Sequence, residues 1–451
     1  MRVKTHLRSA AALSALALLA ACGDAEEPQT DSEASAEDTP AEDAEAEETE
    51  SADDTMESEE PAAGGDGNTS ETFTFGYVLP ETGQLAFLGP PQIEALGLAI
   101  EDINAAGGVL GNEVPAPIAG DEAGQEAAAQ QAADRILSEQ PSAIVGAAAS
   151  GMSLAIVDRV TGANVMQCSG SNTAPTFTDY EDDGLYIRTA PSDALQGPVL
   201  ANTIVNDGYS NVAIVARADD YGSGLAEATA TALENAGATV SLNETYDPLA
   251  REFNAVVSSV EAAEPDAVVV IAFEEGAQIL QGMFEAGLTP DAVGVYGADG
   301  LRSADLGSIV NESDPGVIAG MKGTAPASAD NPDFITKLEE FAPDLEETQF
   351  APQVYDCAVT MALAAEVAGS VNAADFKAEV NGVTSEGTEC TSFEECKGLI
   401  EDGEDIDYNG ASGPLDFTEA GEPGTATIEV YEFDDAGDLQ SVETVEANPV
   451  E

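Results

Sequence analysis

Apolar and polar positions follow two periods along this chain, and the two take turns. Thr72–Leu79 alternates with a period of two, as a half-buried strand does. Pro90 and Pro91 suit a helix start. Leu96, Ile100 and Ile103 then fall at i, i+4 and i+7 on one helical stripe, and Asn104-Ala105-Ala106-Gly107-Gly108 ends it on a glycine stop. The pattern predicts a helix over Ala127–Leu137, a short strand over Ala143–Gly146, a helix over Leu154–Val160 and a strand over Asn164–Cys168. The rhythm restarts after Arg188. Strands are predicted at Val212–Ala216, Thr239–Glu244, Asp266–Ile271 and Gly294–Tyr296, with helices at Gly224–Ala236, Phe253–Ala263 and Ala277–Gly287 between them. Asp266–Ile271 is a nearly continuous apolar run, the mark of a parallel strand buried on both faces. A helix at Ala351–Ala368 follows, then an antiparallel-looking end at Ala426–Phe433 with Asp435-Ala436-Gly437 as a turn. Strand–helix alternation predicts an α/β fold with parallel sheets, and its two runs predict two lobes. No strict repeat is present, which excludes a solenoid.

The first 70 residues obey neither period. Arg2, Lys4 and Arg8 make a positive start, and Ala10–Ala20 is an apolar stretch too short to span a bilayer, so residues 1–22 read as an export signal. It ends in Leu19-Ala20-Ala21-Cys22-Gly23, which resembles a bacterial lipoprotein box. That resemblance implies a lipidated Cys22 as the mature N-terminus, tethering the protein to the outer face of the cytoplasmic membrane. Residues 23–70 hold 19 acidic residues and no Lys or Arg. With almost nothing to bury, this stretch reads as a disordered, self-repelling linker.

Charge narrows the function classes. The chain of 451 residues has a formal net charge of −73; the signal contributes +3 and the linker −19, leaving −57 for residues 71–451. Such a polyanion has too few cations to bind nucleic acid by neutralising phosphates. Acidity with few lysines resembles proteins of salty habitats, or simply keeps a tethered monomer soluble. The single histidine, His6, belongs to the signal, so the mature protein has no imidazole for general-base catalysis or zinc ligation. No phosphate loop or nucleophile–base pair is visible. The expectation is therefore a protein that is not an enzyme and needs no metal or cofactor. Besides Cys22, four cysteines remain. Cys390 and Cys396 flank a short turn that a local disulfide could close, which leaves Cys168 with Cys357 as the second pair.

In open α/β sheets, ligands bind beyond the carboxyl ends of strands. After 143–146 comes Ala147-Ala148-Ala149-Ser150-Gly151-Met152-Ser153, where small residues allow close approach, Ser150 brings a hydroxyl and the helix start offers free N–H groups. After 164–168 comes Ser169-Gly170-Ser171-Asn172-Thr173-Ala174-Pro175, with hydroxyls and N–H groups again. The second run offers Asp219-Asp220-Tyr221-Gly222-Ser223-Gly224, Ala272-Phe273-Glu274-Glu275-Gly276 and Gly297-Ala298-Asp299-Gly300. Carboxylate-binding groups on one lobe thus face an ammonium acceptor on the other, an arrangement that suits a zwitterion.

Several of these motifs carry a family resemblance. Pro80-Glu81-Thr82-Gly83, the run Asp102 to Gly111, Ser171-Asn172-Thr173-Ala174-Pro175, Asp220-Tyr221-Gly222 and Ser412-Gly413-Pro414-Leu415-Asp416-Phe417 resemble the branched-chain amino-acid-type solute-binding proteins of ABC importers, across most of 72–440. The resemblance implies a type I periplasmic-binding fold with three crossings between lobes. Lobe 1 is expected at 72–190 with 322–417 and lobe 2 at 191–321 with 418–451. It implies that Ser150 and Thr173 hold a ligand carboxylate, that the Ser171 carbonyl and Thr173 accept from the α-ammonium, and that Asp299 pairs with it. Tyr221 and Phe273 would close over the ligand, and Leu88 would line the side-chain pocket. Asp299 stands where the amino-acid binders have Glu, and Phe273 where they have Tyr, so urea, amide and aromatic-acid ligands stay open. The implied partners are a permease and its ATPase. A ligand-sensing receptor domain of the same fold is the alternative, since fold alone does not separate the two.

Overall fold

The computed structural model describes residues 70–327 and 331–448. The signal, Cys22, His6 and nearly all of the linker lie outside the described residues. The described chain belongs to one compact unit and is built on two large sheets.

The first sheet has four parallel strands in the order β1 (Phe75–Val78), β2 (Ala143–Gly146), β3 (Met166–Ser169) and β4 (Tyr186–Arg188). Its helices are α1 (Gly89–Ala105), α2 (Glu126–Leu137), α3 (Ser150–Leu154) and α4 (Val157–Gly162). After β4 come α5 (Asp193–Asn206), β5 (Asn211–Arg217), α6 (Asp220–Asn235), β6 (Thr239–Tyr246), α7 (Asn254–Ala263), β7 (Ala267–Ile271), α8 (Gly276–Glu285), β8 (Gly294–Gly297), α9 (Leu306–Val310) and β9 (Lys322–Pro326). The chain then returns to the first lobe through α10 (Pro332–Phe341) and α11 (Ala351–Ala368). A small sheet of β10 (Thr388–Cys390), β11 (Ile406–Gly410) and β12 (Gly413–Pro414) follows, before the chain ends in β13 (Ala426–Phe433) and β14 (Leu439–Ala447). The second sheet has seven strands in the order β14-β13-β9-β8-β7-β5-β6; its body is parallel, while β13 pairs antiparallel with both β9 and β14.

The apolar patterns do what their periods require. All five residues of β7 are buried, as both faces of that strand are covered by helices. Fifteen of the eighteen residues of α11 are buried, so this is the central helix of the first core, against Leu96, Ile103 and Phe75. Each fully buried Val, Leu or Phe in such a core is worth about 1.5–3 kcal/mol. Among the described residues, no single helix is long and apolar enough to cross a membrane. Cys168 bonds Cys357 and Cys390 bonds Cys396, so β3 is tied to α11 across 189 residues of chain.

Several expectations shift. The boundary expected at 322 falls at the first residue of β9, which pairs with β8 and β13. That strand belongs to the larger sheet, and the chain leaves it only after Pro326. The helix expected over 154–160 is two short helices, α3 and α4. Helix α6 begins at Asp220, because Asp219 caps it by accepting from the Gly222 N–H at 2.9 Å; Tyr221 therefore sits on a helical turn and not in a loop. Strands β4, β9 and β14 and helices α5 and α10 were not in the pattern reading.

The crossings are held together. Arg188, at the end of β4 and 1% exposed, is ion-paired with Glu422 on the third crossing and donates to the carbonyls of Asn172 and Ala174. One guanidinium thus joins two crossings to the loop that carries Thr173.

Candidate functional site

Where the carboxyl ends of both sheets meet, Leu85, Leu88, Ala148, Ala149, Ser150, Ser171 and Phe350 of the first lobe face Tyr221, Phe273, Asp299 and Gly300 of the second. The cavity between them is about 20 Å³, room for about one water. Leu85, Leu88, Ala149 and Phe350 pack into the same apolar cluster as Tyr221, Phe273 and Ala298, so the lobes are drawn together over the site. A larger space of about 640 Å³ opens among the three crossings, and none of the anticipated ligand-site residues lines it.

The first-lobe wall is made of hydroxyls and backbone. The β2–α3 turn places Ser150 at the first position of α3, and its Oγ accepts from the Ala174 N–H at 3.3 Å. Neither the Ser150 N–H nor the Gly151 N–H has a partner among the described residues, as expected at a helix start. The Ala148 and Ala149 N–H groups are taken, at 2.8 and 3.3 Å, by the buried carboxyl of Glu122. Only part of the anion site expected from this loop is therefore open to a ligand. Ser171 Oγ donates to Gln92 Oε1 at 3.0 Å and to the Ala148 carbonyl at 3.1 Å, joining the two loops. Thr173 does not line the cavity. It is buried beside it, and its Oγ1 has no well-formed hydrogen bond.

The second-lobe wall is made of two rings and one carboxyl group. Tyr221 stacks on Phe273 with centroids 5.2 Å apart, and the Arg217 guanidinium carbon lies over the Phe273 ring, 3.5 Å from its centroid. Arg217 is itself fixed by Asp219 at 2.5 Å and Glu275 at 2.9 Å. Asp299, in the tight turn after β8, accepts at Oδ1 from the Tyr221 hydroxyl and from Gln196 Nε2, each at 2.9 Å. Burial pushes its carboxyl up to about 6, against the lowering pull of those two donors.

A second acid was not foreseen. Asp193, the first residue of α5, is fully buried, and neither carboxylate oxygen has a well-formed hydrogen bond. Burial first, then the nearby charge of Asp299, drives it well above the usual carboxylate range, while the neighbouring Thr173 hydroxyl eases it. Its sequence signal was available. Asp193 lies just beyond the carboxyl end of β4, the same rule that pointed to the other loops, but a three-residue strand is too short to register as a period. Phe350 gave no such signal. It reaches the cavity from a left-handed backbone position, φ 62°, that opens α11. Of the seven ligand-site residues anticipated, the cavity brings together Leu88, Ser150, Ser171, Tyr221, Phe273 and Asp299.

The arrangement is that of two lobes whose sheet ends face each other across a small cavity. Residues 72–438 match the model of the periplasmic binding proteins, and the chain belongs to that family. It is 28% identical over 377 residues, 81% of this chain and 87% of the other, to the chemotactic signal transduction system substrate-binding protein BasB of Halobacterium salinarum. It is 25% identical over 372 residues, 82% and 94%, to the Leu/Ile/Val-binding protein BraC3 of Rhizobium johnstonii. The crystal structure of the leucine-binding protein LivK of Thermotoga maritima superposes with a TM-score of 0.69 at 22% identity, covering 84% of this chain and 99% of that one. The fold is the type I periplasmic-binding fold.

Proposed function

We propose that this protein captures an amino acid, of the branched-chain type or a related small polar solute, between its lobes and delivers it to the permease and ATPase of an ABC importer. The observation that carries this reading is the acid pair at Asp299 and Asp193. Asp299 lines the cavity and the buried Asp193 lies close enough to feel its charge, and the donors bonded to Asp299 are the neutral Gln196 and Tyr221. A buried carboxylate without a cation is costly, and a ligand ammonium relieves that cost. The opposite wall, with Ser150, Ser171 and the open N–H groups of α3, suits the ligand carboxylate, and Thr173 stands behind both. Leu85, Leu88 and Phe350 then meet an apolar side chain.

A cavity of about 20 Å³ does not admit an amino acid, so uptake requires the lobes to part about their crossings. In this reading residues 1–22 direct export, Cys22 carries the lipid anchor, residues 23–70 are the tether, and the mature receptor works as a monomer without cofactor. The test is calorimetry of the soluble domain against L-leucine, L-isoleucine, urea, acetamide and 4-hydroxybenzoate. One-to-one binding of an amino acid supports the reading. Binding of urea or an amide alone removes it, since those lack the ammonium that Asp299 would hold.

A second reading has a specific observation behind it. The similarity to BasB, named for chemotactic signal transduction, suits a receptor that reports its ligand to a membrane partner. Uptake of labelled ligand by cells with and without the gene separates the two.

A further inference from the structure

Glu122 is an acid that the capture of a zwitterion does not by itself call for. It lies in the loop before α2, is fully buried, and accepts from the N–H groups of Ala148 at 2.8 Å and Ala149 at 3.3 Å. Both alanines line the cavity and lead directly into Ser150. Among the described residues, no Lys or Arg forms an ion pair with it. The charged groups on the elements around it are mostly acids: Asp121 beside it, Glu81 after β1, and Glu126 at the start of α2, with Asp220 of α6, whose carboxylate stands near Gly151, feeling the charge of Glu126. Arg135 of α2 donates to the Ala119 carbonyl, and α3 carries no charge. Burial outweighs the two N–H bonds, and Asp121 adds to it, so the proton is held up to about 8.

We propose that Glu122 is a positioning residue for the carboxylate side of the cleft, bracing the Ala148–Ala149 backbone from behind, and that this loop accepts an anionic ligand only while Glu122 keeps its proton. The inference rests on the reading that the cavity takes a carboxylate. Ionised, Glu122 sets a negative charge one peptide layer behind the open N–H groups of Ser150 and Gly151, in a medium too dry to screen it. Protonated, its carbonyl oxygen still accepts from the backbone while the hydroxyl oxygen accepts only weakly, and the ligand meets no negative charge behind the loop.

Glu122→Gln keeps the volume and one of the two acceptors, gives up the weaker bond to the Ala149 N–H, and removes the titration. Unfolding midpoints of both proteins are measured from pH 6 to 9, alongside calorimetric affinities for L-leucine and 4-hydroxybenzoate at pH 7 and 9. The wild type is expected to bind about tenfold more weakly at pH 9 than at pH 7, the loss that follows when a site with its midpoint near 8 must stay protonated. E122Q should show only the ligand's own titration, and the wild-type minus E122Q midpoint difference should change through the same range. Parallel profiles in the two proteins overturn the proposal. If neither compound binds either protein at pH 7, the carboxylate reading of the site falls; a midpoint difference flat with pH then overturns the titration of Glu122 as well.

Discussion

The first-lobe wall of the cleft meets the cavity with neutral groups, the hydroxyls of Ser150 and Ser171 and the N–H groups opening α3, whereas the second-lobe wall meets it with the Asp299 carboxyl group and stacked rings. Each side of the cleft has an acid whose proton burial holds on to, Asp299 in one wall and Glu122 behind the other, and the proposed function asks for opposite states of the two. In that reading Asp299 loses its proton to hold an ammonium. Glu122 keeps its proton to leave the opposite wall open to a carboxylate. With Asp299 near 6 and Glu122 near 8, both conditions are met together between these values. Raised carboxyl values on both sides therefore teach that burial alone does not define a role; the side of the cleft on which a group stands does.

The largest test of this contrast removes the second-lobe acid. Asp299→Ala should weaken L-leucine binding at least about 100-fold by calorimetry, because breaking a buried charge pair costs roughly 3–5 kcal/mol. An unchanged affinity would place the ammonium elsewhere. On the first-lobe side, replacing Cys168 and Cys357 together by serine removes the tie between β3 and α11. The unfolding free energy should fall by about 2–5 kcal/mol, read from chemical denaturation, with peptide mass spectrometry confirming that Cys390–Cys396 stays closed. A pH series sharpens the comparison next. Asp299 is raised above its ordinary 3.8 to about 6, so its ionised fraction falls about tenfold between pH 7 and 5. Leucine affinity should drop by about that factor, and D299A should not show the drop. The stability consequence has the opposite sense. An acid raised in the folded state stabilises below its unfolded value and loses that contribution as pH rises through its folded value. Asp356, a fully buried acid of α11 raised to about 6, should therefore make the wild type lose unfolding midpoint between pH 4 and 6 relative to Asp356→Asn. Phe273→Leu breaks the sequence of Arg217, Phe273 and Tyr221, and about 1 kcal/mol, or roughly fivefold in affinity, should go with it. The smallest effect is expected at Gly224. A Cβ there would stand 2.7 Å from Pro175 Cδ across the cleft, and Gly224→Ala should weaken binding about twofold to threefold through incomplete closure.

Much of this architecture was visible in periodicity. Long buried runs such as β7 and the eighteen-residue α11 announce themselves, because many residues repeat the same burial requirement. Short elements do not. Strand β4 has three residues and β8 four; β8 falls within the strand–helix alternation of the second run, while β4 does not register and Asp193 with it. Helix α5 is capped by Ser192 but carries Pro198 within it and is buried on several sides, so no single stripe stands out. Strand β9 carries a Gly and ends in a Pro, which reads as a turn until its partners on both sides are known. The cavity residues were legible where chemistry and strand ends coincide, as at Ser150, Tyr221 and Asp299. Glu122 was not, since it acts from behind the wall and its importance depends on burial that no local pattern encodes.

The joint between Arg188 and Glu422 has a kinetic meaning. It fastens two of the three crossings and grips the carbonyls on either side of Thr173, while apolar residues of both lobes pack around the cavity. A ligand held between the lobes, as proposed, leaves only after the lobes part about this joint. The opening rate of the joint then sets the shortest dwell time, and contacts of the ligand with both walls lengthen it.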